Sequence, residues 1–300
     1  MSQAELSYAV VTPARNEATN LARLARCMLE QTRRPEAWVI VDDGSTDGTA
    51  DVAASLAQDH HWIRLSSAVG GPPDEALASG RLGGRDIRSF KAGLALLKSH
   101  SDIVIKVDAD VSMEPDYFEL LLAEFKKDPE LGIASGTCYE LEGGTWTPKH
   151  VTRGHVRGAT RAYRWACLHD AGPLEERLGW DGIDEIRASL AGWRTTSFRH
   201  LAFRHHRWMG ERDGSSRTAW DGQGGVAYFL GYRFSYLLLR TLFHARRDRA
   251  AVGLLQGYMR GVVRRQARYS DHSVRTHLRR QQRARQLLPR AREALGRRFA

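Results

Sequence analysis

Cysteine is scarce in this sequence. Cys27, Cys138 and Cys167 are widely spaced and odd in number. They form neither a disulfide framework nor a zinc-ligand pattern, and their use suits a reducing cytoplasm. A positively charged apolar leader is lacking at the N-terminus; Tyr8-Ala9-Val10-Val11 is a strand-length run that leads straight into polar residues. Long apolar runs are also missing. Gly225 to Phe243 reads as one semi-apolar helix of about membrane-spanning length, interrupted by Arg233 and Arg240. No Gly-x-Gly-x-x-Gly follows the first strand, which excludes the dinucleotide fingerprint. Lysine is absent from residues 225–300, which hold 18 Arg against Asp248, Asp271 and Glu293, a net +15. The whole chain is +10, so the remainder is a mildly acidic body of −5. Such asymmetry points to an anionic partner.

What is present begins with Ile103-Val104-Ile105-Lys106-Val107-Asp108-Ala109-Asp110. A β-branched apolar run reads as a buried strand, and it ends in two carboxylates. Ligands of open α/β sheets lie outside the carboxyl ends of the strands. Two acids held close there repel each other unless a cation lies between them, and a hard divalent ion bound to phosphates meets that need. Asp-x-Asp by itself also fits a solvated turn.

Two earlier strands end in the same manner. Tyr8–Val11 runs into Thr12-Pro13-Ala14-Arg15-Asn16-Glu17, followed by a helix with Leu21, Leu24, Cys27 and Met28 at helical spacing. Ala37–Val41 runs into Asp42-Asp43-Gly44-Ser45-Thr46-Asp47-Gly48-Thr49. Thr46 or Asp47 can cap the next helix, Ala50 to Ala57, whereas Asp42 and Asp43 exceed what a cap requires.

These three motifs, in this order and spacing, resemble glycosyltransferase family 2. The resemblance implies an α/β GT-A fold: a Rossmann-like nucleotide half with a mixed central sheet over 1–112 and an acceptor half over 113–210. It implies that Thr12, Pro13 and Glu17 line the nucleotide pocket and that an acid of the Asp42-Asp43 pair binds the base. Asp108 and Asp110 would be the metal motif, with Asp108 also on the nucleotide side and Mg²⁺ or Mn²⁺ as cofactor. Arg85 and Arg88 fall near a basic position that contacts the nucleotide in the family, and Arg holds phosphate well. The segment Gly158–Tyr163 would close over the donor sugar. His205 or His206 would complete the metal shell.

For the catalytic base the family places an acid six residues before an Arg and eleven before a Gly. Asp181 has both spacings, to Arg187 and Gly192, but Trp180 stands where the family has Glu. Asp184 is therefore the competitor, with Glu185 third. A single base opposite the leaving group implies inversion. The Gln-x-x-Arg-Trp of processive members is absent, although Arg207-Trp208 is similar to its end.

The expected function is transfer of one sugar from a UDP-, GDP- or dTDP-sugar to a polyprenyl-linked or saccharide acceptor in cell-envelope or exopolysaccharide assembly. Residues 66–86 read as a long functional loop, 211–224 as a linker, and 225–300 as Arg-rich amphipathic helices. Those helices are expected on an anionic membrane surface at its cytoplasmic face; packing on the catalytic part or a homodimer contact are the alternatives. A sugar-phosphate nucleotidyltransferase is the rival enzyme, but Thr12 to Glu17 lacks a Gly-rich phosphate loop. A nucleic-acid-binding protein would interleave aromatics with its basic tail; the last thirty residues have only Phe299, so no nucleic acid is expected.

Overall fold

A computed structural model describes residues 5–67, 84–97, 101–149, 155–207 and 215–283. The chain divides into two compact units, one of residues 1–77 with 81–208, the other of 209–300 with 78–80. The first is built on a nine-stranded sheet ordered β3-β2-β1-β4-β8-β6-β9-β5, with β7 paired to β6.

The N-terminal part of this unit starts with β1 (Tyr8–Ala14), α1 (Ala18–Leu29), β2 (Ala37–Asp42), α2 (Thr49–Asp59) and β3 (Ile63–Ser67). It continues through α3 (Arg85–Leu94) and β4 (Ile103–Val107). β3, β2, β1 and β4 are parallel, which requires both faces to be covered. Every residue of β2 and β4 is accordingly buried. The period-two alternation of a strand sorts these residues onto two faces. Val10, Trp38, Ile40, Ile103, Ile105 and Val107 share one face with Leu21, Leu24 and Met28 of α1. Full burial of each such side chain contributes roughly 1.5–3 kcal/mol. Val11, Val39, Val41 and Val104 share the other face with Ile87 and Phe90 of α3. Lys106, two residues after Val104, falls on that second face and is fully buried.

The rest of the unit is β5 (Val111–Met113), α4 (Tyr117–Lys127), β6 (Leu131–Glu142), β7 (Thr145–Pro148), β8 (Thr160–Arg164), α5 (Trp165–Asp170), α6 (Trp180–Leu190) and β9 (Arg194–His205). β8 is antiparallel to both β4 and β6, and the short β5 is antiparallel to the end of β9. The pairing Val111↔His205 brings the Asp-x-Asp turn beside the end of β9.

The second unit holds α7 (Ser216–Phe229), α8 (Phe234–Ala245), a 3₁₀ turn at Arg249–Val252, α9 (Gly253–Val263) and α10 (His272–Gln281). Ser215 caps α7 through Thr218 N, and Asp271 caps α10 through Ser273 N and Val274 N. α7 and α9 pack at backbone distance. A Cβ on Gly257 would lie 1.9 Å from Asp221 O, and one on Gly224 would lie 2.2 Å from Leu254 O.

Three expectations change here. Residues 216–224, read as linker, are helical because Ser215 caps them and Gly224 is needed for close packing rather than for a turn. Gly225 to Phe243 is not one helix: Gly231, at φ +70, breaks it into α7 and α8. Gly158–Tyr163 is not a cover over a ligand, since Thr160–Arg164 is the buried central strand β8. Residues 68–83 of the expected functional loop, 211–214 of the linker and the Arg-rich end from 284 lie outside the described residues.

Candidate active site

The carboxyl ends of β1, β2 and β4 lie side by side, as parallel strands in order β2-β1-β4 must. Pro13 is the partly exposed residue near the end of β1. Thr12 is corrected: it is fully buried, and its hydroxyl accepts the indole N–H of Trp38 at 2.9 Å, so that side chain faces the core. Glu17, 2% exposed, is gripped by both guanidinium nitrogens of Arg207 at 2.7 Å. Asp42 accepts the Ser45 N–H at 3.3 Å with both oxygens and shapes the turn after β2. Asp43 pairs with Arg85 at 2.9 Å and lies 3.8 Å from Arg15. Asp43 and Arg85, both expected on the nucleotide, thus meet each other. Arg88 is engaged by Glu176 at 3.2 Å, which Lys91 also reaches at 2.6 Å.

At the end of β4, Asp108 pairs with the buried Lys106, which also holds Asp86 at 3.2 Å. Burial opposes the charge on Lys106, but Asp108 and Asp86 outweigh it and raise its pKa. Trp180 lies over the ammonium at 5.7 Å. Asp110, 5% exposed, has its Oδ1 3.4 Å from His205 Nε2. The other ring nitrogen, Nδ1, is buried without a hydrogen-bond partner among the described residues and faces Glu140 at 3.9 Å. Cys138, Glu140 and His205 each offer a ligand atom within 4.8 Å of the others. His206 points elsewhere. Its Nε2 meets Ser112 Oγ at 2.7 Å, its ring is edge-on to Trp146, and burial pushes its pKa down to about 4. Among the described residues the set that brings three ligand atoms this close is Cys138, Glu140 and His205; of the expected metal residues, His205 and not His206 stands beside Asp110.

The two candidate bases stand on α6 and differ sharply. Asp184 is 3% exposed, and Arg161 donates to its two oxygens at 2.5 and 3.2 Å. Tyr163 donates to it as well. Burial pushes Asp184 up, to about 7, against the pull of Arg161. A carboxyl near 7 suits proton transfer, but geometry comes first. With both oxygens occupied and the residue almost wholly buried, Asp184 neutralises a buried arginine; its expected role as base is corrected on that ground. Asp181, one helical turn earlier, keeps its side chain 32% exposed and lies 3.9 Å from His155 Nε2. His155 Nδ1 meets Glu185 at 3.1 Å. Burial opposes charge on His155, but Glu185 and Asp181 prevail and raise its pKa.

Residues 9–71 match the family model for glycosyl transferase family 2. The chain is 25% identical over 136 residues to 4,4'-diaponeurosporenoate glycosyltransferase of Staphylococcus haemolyticus (strain JCSC1435), a match covering 45% of this chain and 32% of that protein. The chain is similar to glycosyl transferase family 2 over the segment that holds its first two strand-end motifs. The matched part spans about a third of that curated relative. S. aureus TarS 1–349 in complex with UDP has the same fold at a TM-score of 0.52 and 16% identity, over 75% of this chain and 66% of that one. So does the mannosyltransferase PcManGT from Pyrobaculum calidifontis in complex with GDP-Man and Mn²⁺, at 0.53 and 16% over 98% and 81%. The fold of this chain is GT-A.

Four side chains at this strand end escaped the sequence reading. Lys106 looks like strand filler in an apolar run, yet its alternation with Val104 puts it on the face of α3. Glu140 shares a strand face with Cys138 and is held by Arg157 at 3.2 Å and Lys149 at 3.5 Å. Arg161 is fully buried against Asp184 and Glu185. Arg207, noted only beside Trp208, anchors Glu17. The period of two on β6 was a usable signal for Glu140; the others depend on partners distant in sequence.

Proposed function

We propose that the protein is an inverting, divalent-metal-dependent glycosyltransferase that moves one sugar from a nucleoside-diphosphate sugar to an acceptor hydroxyl. The approach of Asp110 to His205, 3.4 Å apart at the carboxyl end of the sheet, carries this reading. Asp108 and Asp110 offer carboxylates, which suit Mg²⁺ and Mn²⁺, and His205, whose Nε2 faces Asp110, would add an imidazole that favours the softer Mn²⁺. Such an ion would act as a Lewis acid on the diphosphate leaving group. Pro13, Asp42, Asp43, Arg85 and Arg88 form the nucleotide side. Asp181 is the base: it takes the acceptor proton as the hydroxyl oxygen bonds to the anomeric carbon. The bond from that carbon to the diphosphate oxygen breaks, and the nucleoside diphosphate leaves with the electron pair.

TarS is described with UDP and the archaeal mannosyltransferase with GDP-Man, so both donor classes are candidates. The acceptor we infer is polyprenyl-linked or a saccharide of the cell envelope, and the protein works as a peripheral membrane enzyme. Among the described residues no helix is long and apolar enough to cross a membrane. Thermal stabilisation by UDP, GDP, dTDP and CDP, each with Mn²⁺ or EDTA, tests the reading. Stabilisation by one nucleotide, only with Mn²⁺ and lost in Asp110→Ala, is expected. No response to any diphosphate would sink it.

A further inference from the structure

Phe234, Leu238, Leu239, Leu242 and Phe243 of α8 are 50, 40, 56, 57 and 53% exposed. Leu237 and Thr241 are buried on the opposite side. At 3.6 residues per turn the five exposed side chains form one continuous stripe. Ser235 is the sole polar residue within it. A water-facing helix surface normally carries charge there, and a large exposed apolar patch marks an interaction site.

At the N-terminal end of the same helix lies a cavity of about 320 Å³. The Gly231–Ser235 turn, Tyr258, Arg268 and Arg279 line it, so the lining holds three arginines and no carboxylate. Arg233 is fixed there: its backbone N–H donates to Gln282 Oε1 at 2.8 Å and its Nε donates to Arg279 O at 2.9 Å. Arg268 lies over the Tyr228 ring at 5.2 Å. The buried Nε2 of Gln282 has no hydrogen-bond partner among the described residues. Guanidinium groups so arranged suit phosphate oxygens. Phe234 belongs to both features, lining the cavity and opening the apolar stripe.

We propose that this helical unit docks on an anionic phospholipid bilayer. The stripe on α8 lies at the headgroup boundary, and Arg233, Arg268 and Arg279 hold a lipid phosphate in the cavity. This rests on the membrane-peripheral part of the function proposed above and names its surface. Charge chooses the occupant. Residues 225–300 carry +15, so a second copy would set like charge against like. A nucleic acid would engage the arginines but leave the apolar stripe uncovered. An anionic bilayer answers both.

The test is co-sedimentation of the full chain with vesicles of phosphatidylcholine alone, or of equal parts phosphatidylcholine and phosphatidylglycerol. The wild type should bind the anionic vesicles. Leu239→Ser/Leu242→Ser and Arg268→Gln/Arg279→Gln should each weaken binding about tenfold or more. All four positions are exposed, and an unchanged melting temperature shows that the variants fold. Failure of the wild type to bind anionic vesicles overturns the proposal, as does undiminished binding by either variant. Self-association in sedimentation velocity, lost in the leucine variant without any vesicle binding, overturns it in favour of a second copy. Nucleotide stabilisation in the same samples separates the two readings: a chain that answers to nucleotide but ignores vesicles loses only this one.

Discussion

The two units of this chain treat charge in opposite ways. In the sheet unit, charge goes inside and is paired. Arg161, Lys106, Glu17, Glu140 and Asp184 are all nearly or fully buried, each with an opposite charge in reach. In the helical unit, apolar side chains go outside. Phe234, Leu239, Leu242 and Phe243 are half exposed on a helix whose surroundings are rich in arginine. A sheet with covered faces can bury an ion only by giving it a partner, since an unpaired buried charge is very costly. Four short helices have too little interior for that, so their charge stays at the rim. The contrast separates residues kept for stability from residues kept for contact with something else.

Removing one partner of a buried pair should give the largest stability effect. Asp184→Ala leaves the buried Arg161 with Glu185 as its one remaining carboxylate among the described residues, with an expected loss of about 3–5 kcal/mol, read from urea unfolding. A loss within experimental error would mean that Glu185 alone neutralises Arg161. Asp181→Asn, at a half-open position, should leave stability nearly unchanged while lowering kcat by about 10²–10⁴-fold; equal turnover would remove Asp181 as base. Next comes Gly257→Ala, where the added methyl meets the Asp221 carbonyl and overpacking costs about 1–3 kcal/mol. Leu239→Gln should move the melting temperature hardly at all, since surface changes fall within about ±0.5 kcal/mol. A marked destabilisation there would show that the stripe on α8 is covered within the chain itself.

The smallest effect is a pH dependence. His155 has a raised pKa in the folded chain, so the stabilisation that it brings is complete below the ordinary histidine pKa. It is lost as pH rises through the higher folded value. His155→Gln should flatten the melting temperature in that window. An unchanged slope would place the titration elsewhere.

Much of the N-terminal part of the sheet unit was legible because local pattern and tertiary demand agree there. Buried parallel strands must be apolar throughout, and their ends must carry turn chemistry, so Ala37–Asp42 and Ile103–Asp110 announce themselves. The strand Ile63–Ser67 was not read, because its edge position leaves it half polar. β8 was misread for a related reason. Thr160, Arg161 and Tyr163 look like a polar rim until Asp184, on a distant helix, is seen to neutralise the guanidinium. Adjacent His205 and His206 could be told apart only by their neighbours, Asp110 for one and Ser112 with Trp146 for the other. Pairings across the chain decide such positions, and composition carries no trace of them.

Lys106 has one further consequence, best put as a charge count. Asp86, Asp108 and Asp110 bring three carboxylates to the end of β4 and its flank, and Lys106 brings one ammonium. On the proposed metal reading, a lysine hidden in the sheet would trim by one the negative charge that the cation has to meet.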